Sequence, residues 1–300
     1  MPSPEMQAVI DELRLRKQAR AGQAPPTVDD LRAGFAPAGR PPEAIPDDVT
    51  VTAVDAGGVP AHWLSAPGAD AGRTLLFLHG GGFSLGSLRS HGELAARLGR
   101  ATGMRVLFPE YRLVPEHPFP AGVEDVRAVW HWLRAQGVPA GSVALAGDSA
   151  GGALGLTLLL SLRDAGEDLP AAAVVLSPAI DLTTSGASMA ERADEDPIFT
   201  PGMIRGIAAG YLGEADPRAP QASPLFGDFT GLPPLLVQAG TAEVLLSDSE
   251  RLAETAAAAG VDVTLTIGEG LPHVYPIMTG SPEAAEATRE IAAFLGKHVH

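Results

Sequence analysis

Short apolar runs of strand length recur along the chain, and from about residue 74 onward longer segments of helical period separate them. Short apolar runs between turns predict buried strands, whereas apolar positions at helical spacing predict helices. The predicted strands are Val49–Val54, His62–Ser65, Thr74–His79, Arg105–Tyr111, Ser142–Ala146, Ala172–Ser177, Leu235–Ala239 and Val261–Ile267. The helices predicted between the later strands are Ser90–Thr102, Gly122–Gln136, Gly152–Ala165 and Ser247–Ala259.

This alternation predicts an α/β fold, because a helical crossover returns the chain to the same edge of the sheet and lets the next strand lie parallel. The last six strands therefore predict a mostly parallel sheet of eight strands that is flanked by helices. The first two strands are close enough in sequence to pair as an antiparallel hairpin.

About 45 residues precede this alternating core. Residues 4–20 predict a helix, because apolar side chains recur at helical spacing with charged residues between them. A second short helix is predicted at 28–35, and the proline-rich stretches Ala24–Pro26 and Pro37–Pro46 predict irregular connections. The apolar positions of the first helix are Met6, Val9, Ile10 and Leu13.

The stretch from Thr183 to Pro224 interrupts the alternation. It contains an acidic turn at 194–197 and a helix announced by Thr200 and Pro201, since proline favours the first helical position. We expect this stretch, at about 183–224, to be an insertion over the strand ends. Its helix places Met203, Ile207 and Tyr211 on one stripe, and Ile204, Ala208 and Leu212 on the adjacent one.

Composition narrows the possible functions. The chain has 300 residues with a formal net charge of -15, which argues against a nucleic-acid partner or an anionic membrane surface. Its lack of cysteine excludes disulfides, iron–sulfur clusters, cysteine zinc ligands and a thiol nucleophile. No His-Glu-x-x-His pattern is present, so no metal hydrolase and no cofactor are predicted.

The N-terminal segment Met1–Arg20 has acidic residues and no long apolar core, so we do not expect it to be a secretory signal. The longest apolar run, Ala153–Leu160, is far shorter than a membrane span. A cytoplasmic protein without a membrane span is the default expectation, although a mature secreted form would have the same sequence features.

A Gly-x-Ser-x-Gly pattern occurs twice, around Ser149 and around Ser84. A nucleophile elbow needs a strand that runs straight into the serine and a helix that leaves at once. Ser149 has both, whereas Ser84 lies several residues beyond its strand. Ser149 is therefore the candidate nucleophile, and its structural alternative is a helix N-cap.

The run His79–Gly82 follows a buried strand and suits an oxyanion hole, because glycines let backbone N–H groups approach a substrate oxygen. We assign the donors to Gly81, Gly82 and Ala150, the last being the residue after the nucleophile. His79 precedes the nucleophile and is better interpreted as a side chain that holds the loop.

A serine nucleophile needs a histidine base and a carboxylate that fixes the imidazole tautomer. Of eight histidines, His273 alone follows a candidate acid and a final strand, since five precede Ser149 and His298 and His300 lie at a terminus expected to fray. Two acids are candidates, Glu243 and Asp248. Asp248 lies in Ser247-Asp248-Ser249-Glu250, which matches a capping box, so Glu243 is favoured and Asp248 is the runner-up.

Three motifs together resemble the hormone-sensitive-lipase-like branch of the α/β-hydrolases, the bacterial family IV esterases. They are His79–Gly82, Gly147–Gly152 and Tyr111–Ala121. The family acid usually begins Asp-Pro-Leu, where this chain has Glu243-Val244-Leu245. The separation of thirty residues between Glu243 and His273 is similar to the family's and favours Glu243 independently.

The resemblance implies an α/β-hydrolase fold with a helical cap. Residues 1–47 would form the N-terminal cap segment, and 48–300 the catalytic domain with its cap insertion. The insertion helix is expected to wall an apolar acyl pocket together with Phe83, through Met203, Ile207 and Tyr211. A homodimer that pairs the last sheet strand is also implied by resemblance.

The function expected is a cofactor-independent carboxylic ester hydrolase that acts through an acyl-enzyme on Ser149. The resemblance implies short- to medium-chain acyl esters. Lactone or amide hydrolysis would use the same residues and differ only in pocket shape. A non-catalytic ligand receptor on the same fold is the alternative from another class, and the complete set of catalytic residues disfavours it.

Overall fold

The structure, a computed structural model, describes residues 1–20, 22, 27–37 and 44–300. The predicted linker Ala24–Pro26 and residues 38–43 of the second proline-rich stretch lie outside the described residues. The strands are β1 (Thr50–Asp55), β2 (Pro60–Ser65), β3 (Asp70–Leu78), β4 (Met104–Pro109), β5 (Val143–Asp148), β6 (Ala172–Leu176), β7 (Leu235–Ala242) and β8 (Val263–Pro272).

The α-helices lie between consecutive strands from β3 onward and at both ends of the chain. They are α1 (Pro4–Arg20), α2 (Val28–Ala33), α3 (Leu88–Thr102), α4 (Ala121–Ala135), α5 (Ala150–Asp164), α6 (Ser188–Glu191), α7 (Pro201–Leu212), α8 (Leu246–Ala258) and α9 (Pro282–His298). No helix of the described residues is both long and apolar enough to cross a membrane.

The strands form one eight-stranded sheet in the order β1-β2-β4-β3-β5-β6-β7-β8. The predicted hairpin is confirmed, since β1 pairs with β2 antiparallel. β2 also pairs antiparallel with β4, and every pairing from β4 to β8 is parallel. The predicted α/β-hydrolase architecture with a mostly parallel sheet is therefore correct.

Both faces of the sheet are covered, which explains why the central strands are almost continuously apolar. Successive side chains of a strand point to opposite faces. In β3, Leu76 and Leu78 belong to one core together with residues of α4, α5 and α8, whereas Leu75 and Phe77 belong to a second core with residues of α1, α3 and α9. The first helix thus packs its predicted apolar stripe into the second core.

The C-terminal helix α9 was not predicted from the sequence pattern, and the expectation of a frayed terminus at His298 is wrong. His298 is the last residue of a helix whose buried side chains include Ile291 and Leu295. Ser281 caps this helix by accepting a hydrogen bond from the backbone N–H of Ala284 at 3.2 Å. Packing of its apolar face against the sheet holds the terminus in place.

Gly240 provides a test of the close contact between β7 and β8. A Cβ at this position would overlap the carbonyl oxygen of Leu271, which is backbone and therefore hard to displace. We expect Gly240→Ala to lower the free energy of unfolding by roughly 1–3 kcal/mol through overpacking.

Urea unfolding measures this change, with Gly296→Ala as the matched control. Gly296 lies inside α9 with open space around its Cα, so alanine there should stabilise by roughly 0.5–1 kcal/mol. Equal effects of the two substitutions would contradict the packing argument.

Candidate active site

The candidate residues lie at one edge of the sheet because each directly follows the carboxyl end of a strand. His79 follows β3, Ser149 follows β5, Ser177 follows β6, Glu243 follows β7 and His273 follows β8. In the sheet order β3-β5-β6-β7-β8, each strand pairs in parallel with the next. Parallel strands therefore bring together side chains that are up to 194 positions apart in the chain, from His79 to His273.

Ser149 occupies a strained turn between β5 and α5. Its φ of 50° and ψ of -116° are unusual for a residue with a side chain. Its backbone N–H donates to the carbonyl oxygen of Leu176 at 2.8 Å, which ties the turn to β6. The helix begins at Ala150, so the helix N-terminus directly adjoins the serine, as the sequence context indicated.

Ser84, the serine of the second Gly-x-Ser-x-Gly pattern, lies in the loop between β3 and α3. Its backbone N–H donates to the carbonyl oxygen of Gly81 at 3.2 Å, and its own carbonyl accepts from Arg32 Nε at 3.0 Å. Its hydrogen bonds thus hold a turn, and no helix follows it directly.

Glu243 and His273 form a buried hydrogen-bonded contact. His273 Nδ1 lies 2.5 Å from Glu243 Oε2, and both side chains are almost fully excluded from solvent. The other carboxylate oxygen, Oε1, accepts from the backbone N–H of Gly240 and from Ser177 Oγ, both at 2.9 Å. A carboxylate at Nδ1 favours the tautomer that leaves Nε2 free to accept a hydroxyl proton.

The pKa of His273 reflects opposing effects. Burial lowers the pKa of the imidazole, but the charge and hydrogen bond of Glu243 raise it, with smaller contributions from Asp196 and Asp148. The net direction is above the ordinary value of 6.5. The site therefore strengthens His273 as a base.

Ser177 connects the loops of Glu243 and His273, and the sequence analysis did not identify it. Its hydroxyl donates to Glu243 and accepts from the backbone N–H of Val274 at 2.9 Å, so it joins the acid to the residue after the candidate base. Its φ of 45° is in the left-handed region, which aims the hydroxyl between the two loops. A polar residue at the carboxyl end of an apolar strand was the only signal in the sequence.

The predicted capping box at Ser247–Glu250 is wrong, because Asp248 makes other hydrogen bonds. Helix α8 begins at Leu246, and its N-cap has no side-chain hydrogen bond. Asp248 Oδ2 instead accepts from the backbone N–H groups of Ile180 and Asp181 at 2.9 and 3.0 Å. Burial raises the pKa of Asp248 to about 7. The structure therefore places this carboxylate against the loop after β6 and pairs His273 with Glu243.

The glycine run after β3 is connected to the nucleophile elbow through Asp148. The backbone N–H of Gly80 donates to Asp148 Oδ1 at 2.9 Å, and His91 Nε2 lies 3.4 Å from Oδ2. Gly81 and Gly82 have φ values of 119° and 60°, which glycine adopts readily. Burial raises the pKa of Asp148, but His91, His79 and the backbone N–H of Gly80 lower it overall, so this carboxylate is anionic.

His79 holds the same loop from behind. Its Nδ1 lies 2.8 Å from the carbonyl oxygen of Gly80, and its ring stacks on Tyr111 with the ring centroids 4.3 Å apart. The hydroxyl of Tyr111 donates to the carbonyl oxygen of His79 at 2.5 Å. Burial, and then the nearby His91, lowers the pKa of His79 to about 3, so this imidazole is neutral. The Tyr111–Ala121 motif thus supports the loop.

Two of the predicted pocket residues, Tyr211 and Ile207, lie beside Phe83 and Gly82. The rings of Phe83 and Tyr211 stack with their centroids 3.7 Å apart, and Ile207 packs beside Gly82. Met203, on the same helix, is 43% exposed. The insertion helix α7 therefore approaches the glycine loop through Ile207 and Tyr211, while Met203 faces outward.

No group of three or more histidine and acidic side chains able to hold a metal ion occurs in residues 1–20, 22, 27–37 and 44–300. What the arrangement provides is a strained serine beside a helix N-terminus, a buried acid–base pair at the same sheet edge, and a glycine loop fixed by hydrogen bonds. Such a set of groups is suited to acyl transfer.

Comparison with known proteins gives a consistent result. Residues 75–277 match the α/β-hydrolase fold family. The chain is 43% identical over 302 residues to an acetyl-hydrolase of Streptomyces hygroscopicus, covering 98% of this chain and 97% of that one. It is 36% identical over 228 residues to an esterase of Acinetobacter venetianus, with 75% of each chain covered.

Solved structures agree with these sequence matches. An esterase from the bacterial hormone-sensitive lipase family superposes with a TM-score of 0.92 at 43% identity, and the match covers all of both chains. The structure of EstE5 soaked with p-nitrophenyl butyrate superposes with a TM-score of 0.92 at 40% identity over 98% of each chain. The chain belongs to the α/β-hydrolase family, within its hormone-sensitive-lipase-like branch of bacterial esterases.

Proposed function

We propose that this carboxylesterase hydrolyses its substrates with Ser149 as nucleophile, His273 as general base and Glu243 as the acid that orients it. The observation that supports this assignment most directly is the buried 2.5 Å contact between His273 Nδ1 and Glu243 Oε2, at the same sheet edge as the strained Ser149. Gly81, Gly82 and Ala150 are the proposed oxyanion donors.

In the first half of the reaction, His273 Nε2 takes the hydroxyl proton while Ser149 Oγ attacks the ester carbonyl carbon. The carbonyl oxygen gains negative charge, which backbone N–H groups stabilise. The N–H of Ala150 is suited to this role because the first residues of a helix have no partner within it. His273 then gives its proton to the departing alcohol oxygen, leaving an acyl group on Ser149.

In the second half, His273 removes a proton from water, whose oxygen attacks the acyl carbon. Collapse of the tetrahedral intermediate returns the proton to Ser149 Oγ and releases the carboxylic acid. Glu243 stabilises the imidazolium in both halves. It does so from a position fixed by Gly240 and Ser177, so its carboxylate does not need to reorganise during the reaction.

The substrates proposed are short- to medium-chain acyl esters. The stacked rings of Phe83 and Tyr211, with Ile207 beside Gly82, give the glycine loop an apolar neighbour for an acyl chain. The similarity to the acetyl-hydrolase of Streptomyces hygroscopicus supports the short end of this range of chain lengths. Lactones and amides remain the second candidate class, since they would use the same residues.

A homodimer through β8 is also proposed. β8 is an edge strand of the sheet, and Leu265 on it is exposed. An unpaired edge strand with exposed apolar side chains can pair with a second copy of the same strand.

Ser149→Ala tests the nucleophile. We expect kcat/KM to fall by at least about 10⁴-fold on p-nitrophenyl esters, because the acyl-enzyme cannot form. A series of esters of rising chain length, run on the wild type, measures the acyl preference, which should be highest for the short and medium chains. Unchanged turnover in Ser149→Ala would contradict the mechanism.

A comparison of Glu243→Gln with Asp248→Asn tests the acid. Glutamine is isosteric but uncharged, so kcat should fall by roughly 10³–10⁴-fold as the imidazole loses its orientation and its counter-charge. Asp248→Asn keeps an oxygen that can accept from Ile180 and Asp181, so most activity should remain. Loss of activity in the Asp248 variant alone would reverse the assignment.

The pH dependence of kcat/KM tests the base. His273 acts only when neutral, and its pKa lies above 6.5 in the folded protein. We therefore expect activity to fall as pH drops, with a midpoint above 6.5. A midpoint well below that value in the free enzyme would show that the base titrating there is not His273 in this environment.

A further inference from the structure

The insertion contains a tight turn at 196–199 whose centre is the buried carboxylate of Asp196. Asp196 Oδ1 accepts from the backbone N–H groups of Ile198 and Phe199 at 2.7 and 2.8 Å, which closes the turn on itself. Asp196 is only 2% exposed, so these hydrogen bonds replace those it would make with water. The proposed reaction steps do not use this carboxylate.

Two contacts connect this turn to the acid and the base. Asp196 Oδ2 accepts from the backbone N–H of Val244 at 2.9 Å, and Val244 directly follows Glu243. The ring of Phe199 lies edge-on to the imidazole of His273, with centroids 5.1 Å apart and planes at 83°. The turn therefore contacts His273 and the residue that follows Glu243 from the side of the insertion, whereas Ser177 joins the two loops from the sheet.

The N-terminal helix holds the turn from outside. Lys17 Nζ donates to the carbonyl oxygens of Asp196 and Phe199 at 2.6 and 2.7 Å, so one ammonium group bridges the two ends of the turn. At its other end, α1 is fixed to α9, because the hydroxyl of Ser3 donates to Glu283 Oε2 at 2.8 Å. The apolar face of α1 is buried in the core between these two points.

We propose that the turn at 196–199, held by Lys17 of α1, is a positioning element for the catalytic pair. Asp196 fixes the loop that bears Glu243, and Phe199 fixes the plane of the His273 imidazole. This inference rests on the proposed roles of Glu243 and His273. It gives the N-terminal helix a role in orienting the His273 imidazole, in addition to its packing in the core.

Asp196 also contributes charge. The acidic groups that face His273 are Glu243, Asp196 and Asp148, and each of them stabilises the imidazolium. Burial raises the pKa of Asp196, while its three backbone donors and His273 favour the anion. Removal of this negative charge should therefore lower the pKa of His273 and move the acid limb of kcat/KM to lower pH.

Asp196→Asn tests this, with Asp194→Asn as the control that removes the same charge from an exposed position two residues earlier. The His273 pKa is read by NMR from its imidazole in a Ser149→Ala background, and the acid limb from kcat/KM in the active enzyme. We expect both values to fall in Asp196→Asn and to stay at the wild-type value in Asp194→Asn. Equal values in the two variants would overturn the electrostatic part of the proposal.

Lys17→Met tests the connection to α1 without disturbing the buried carboxylate. Its control is Lys297→Met, since Lys297 is an exposed lysine in the last turn of α9. We expect kcat to fall on the order of tenfold in Lys17→Met with KM little changed, because misplaced catalytic groups lose rate rather than binding. Lys17→Arg should recover part of the loss, since arginine can also donate to both carbonyls.

The proposal would be overturned if Lys17→Met and Lys297→Met both had the kcat of the wild type and only Lys17→Met had a lower thermal midpoint. Lys17 would then have a structural role only. Failure of the proposed function is distinguishable from this outcome. If Ser149→Ala hydrolyses the ester series as fast as the wild type, the proposed mechanism itself is wrong. If activity depends on Ser149 but Asp196→Asn and Lys17→Met both behave like the wild type, only the role of the turn is wrong.

Discussion

The contact between Glu243 and His273 is the interaction on which the rest of the site depends. A buried carboxylate is costly unless charged and polar groups surround it. Here one oxygen faces the imidazole, and the other accepts from Gly240 and Ser177. Because every hydrogen bond of this carboxylate comes from a fixed strand end, the pair has one well-defined geometry.

The geometry of this pair depends on how the strands of the sheet pack. β7 and β8 are parallel neighbours, and Gly240 lets the backbone of β8 approach closely near Leu271, just before His273. Ser177, at the end of β6, then joins the loop of the acid to that of the base. Three adjacent strands thus converge on one carboxylate. The rigidity of a sheet covered on both faces supplies the precision that acyl transfer requires.

A second network serves the other half of the site. Asp148, the residue before the proposed nucleophile, accepts from Gly80 in the glycine loop, so the elbow and the proposed oxyanion donors share one buried carboxylate. His79 and Tyr111 support that loop from behind. In both halves a buried acid at a strand end accepts one backbone hydrogen bond and lies beside a histidine: Gly240 and His273 for Glu243, and Gly80 and His91 for Asp148.

The sequence by itself was sufficient for the fold and for most of the candidate residues. Strand length, helical period and glycine context depend on neighbouring positions, so they predicted the parallel sheet, the elbow at Ser149 and the choice of His273. The capping-box interpretation of Asp248 failed because the sequence Ser247–Glu250 is compatible both with a local helix cap and with hydrogen bonds to a distant loop. Only the folded structure, in which Asp248 accepts from Ile180 and Asp181, selects between them.

The remaining features of the site depend on long-range contacts. Ser177, Asp196 and Lys17 acquire their importance from partners that are 66, 48 and 179 positions away, and no local pattern marks such pairs. The sequence determined which chemistry was available, since the proposed nucleophile, base and acid and the glycine loop each follow a recognisable strand. The sequence favoured Glu243 over Asp248, but only the tertiary structure showed that Glu243 meets the imidazole, because that contact depends on the register of β7 and β8 and on which loop each buried acid must satisfy.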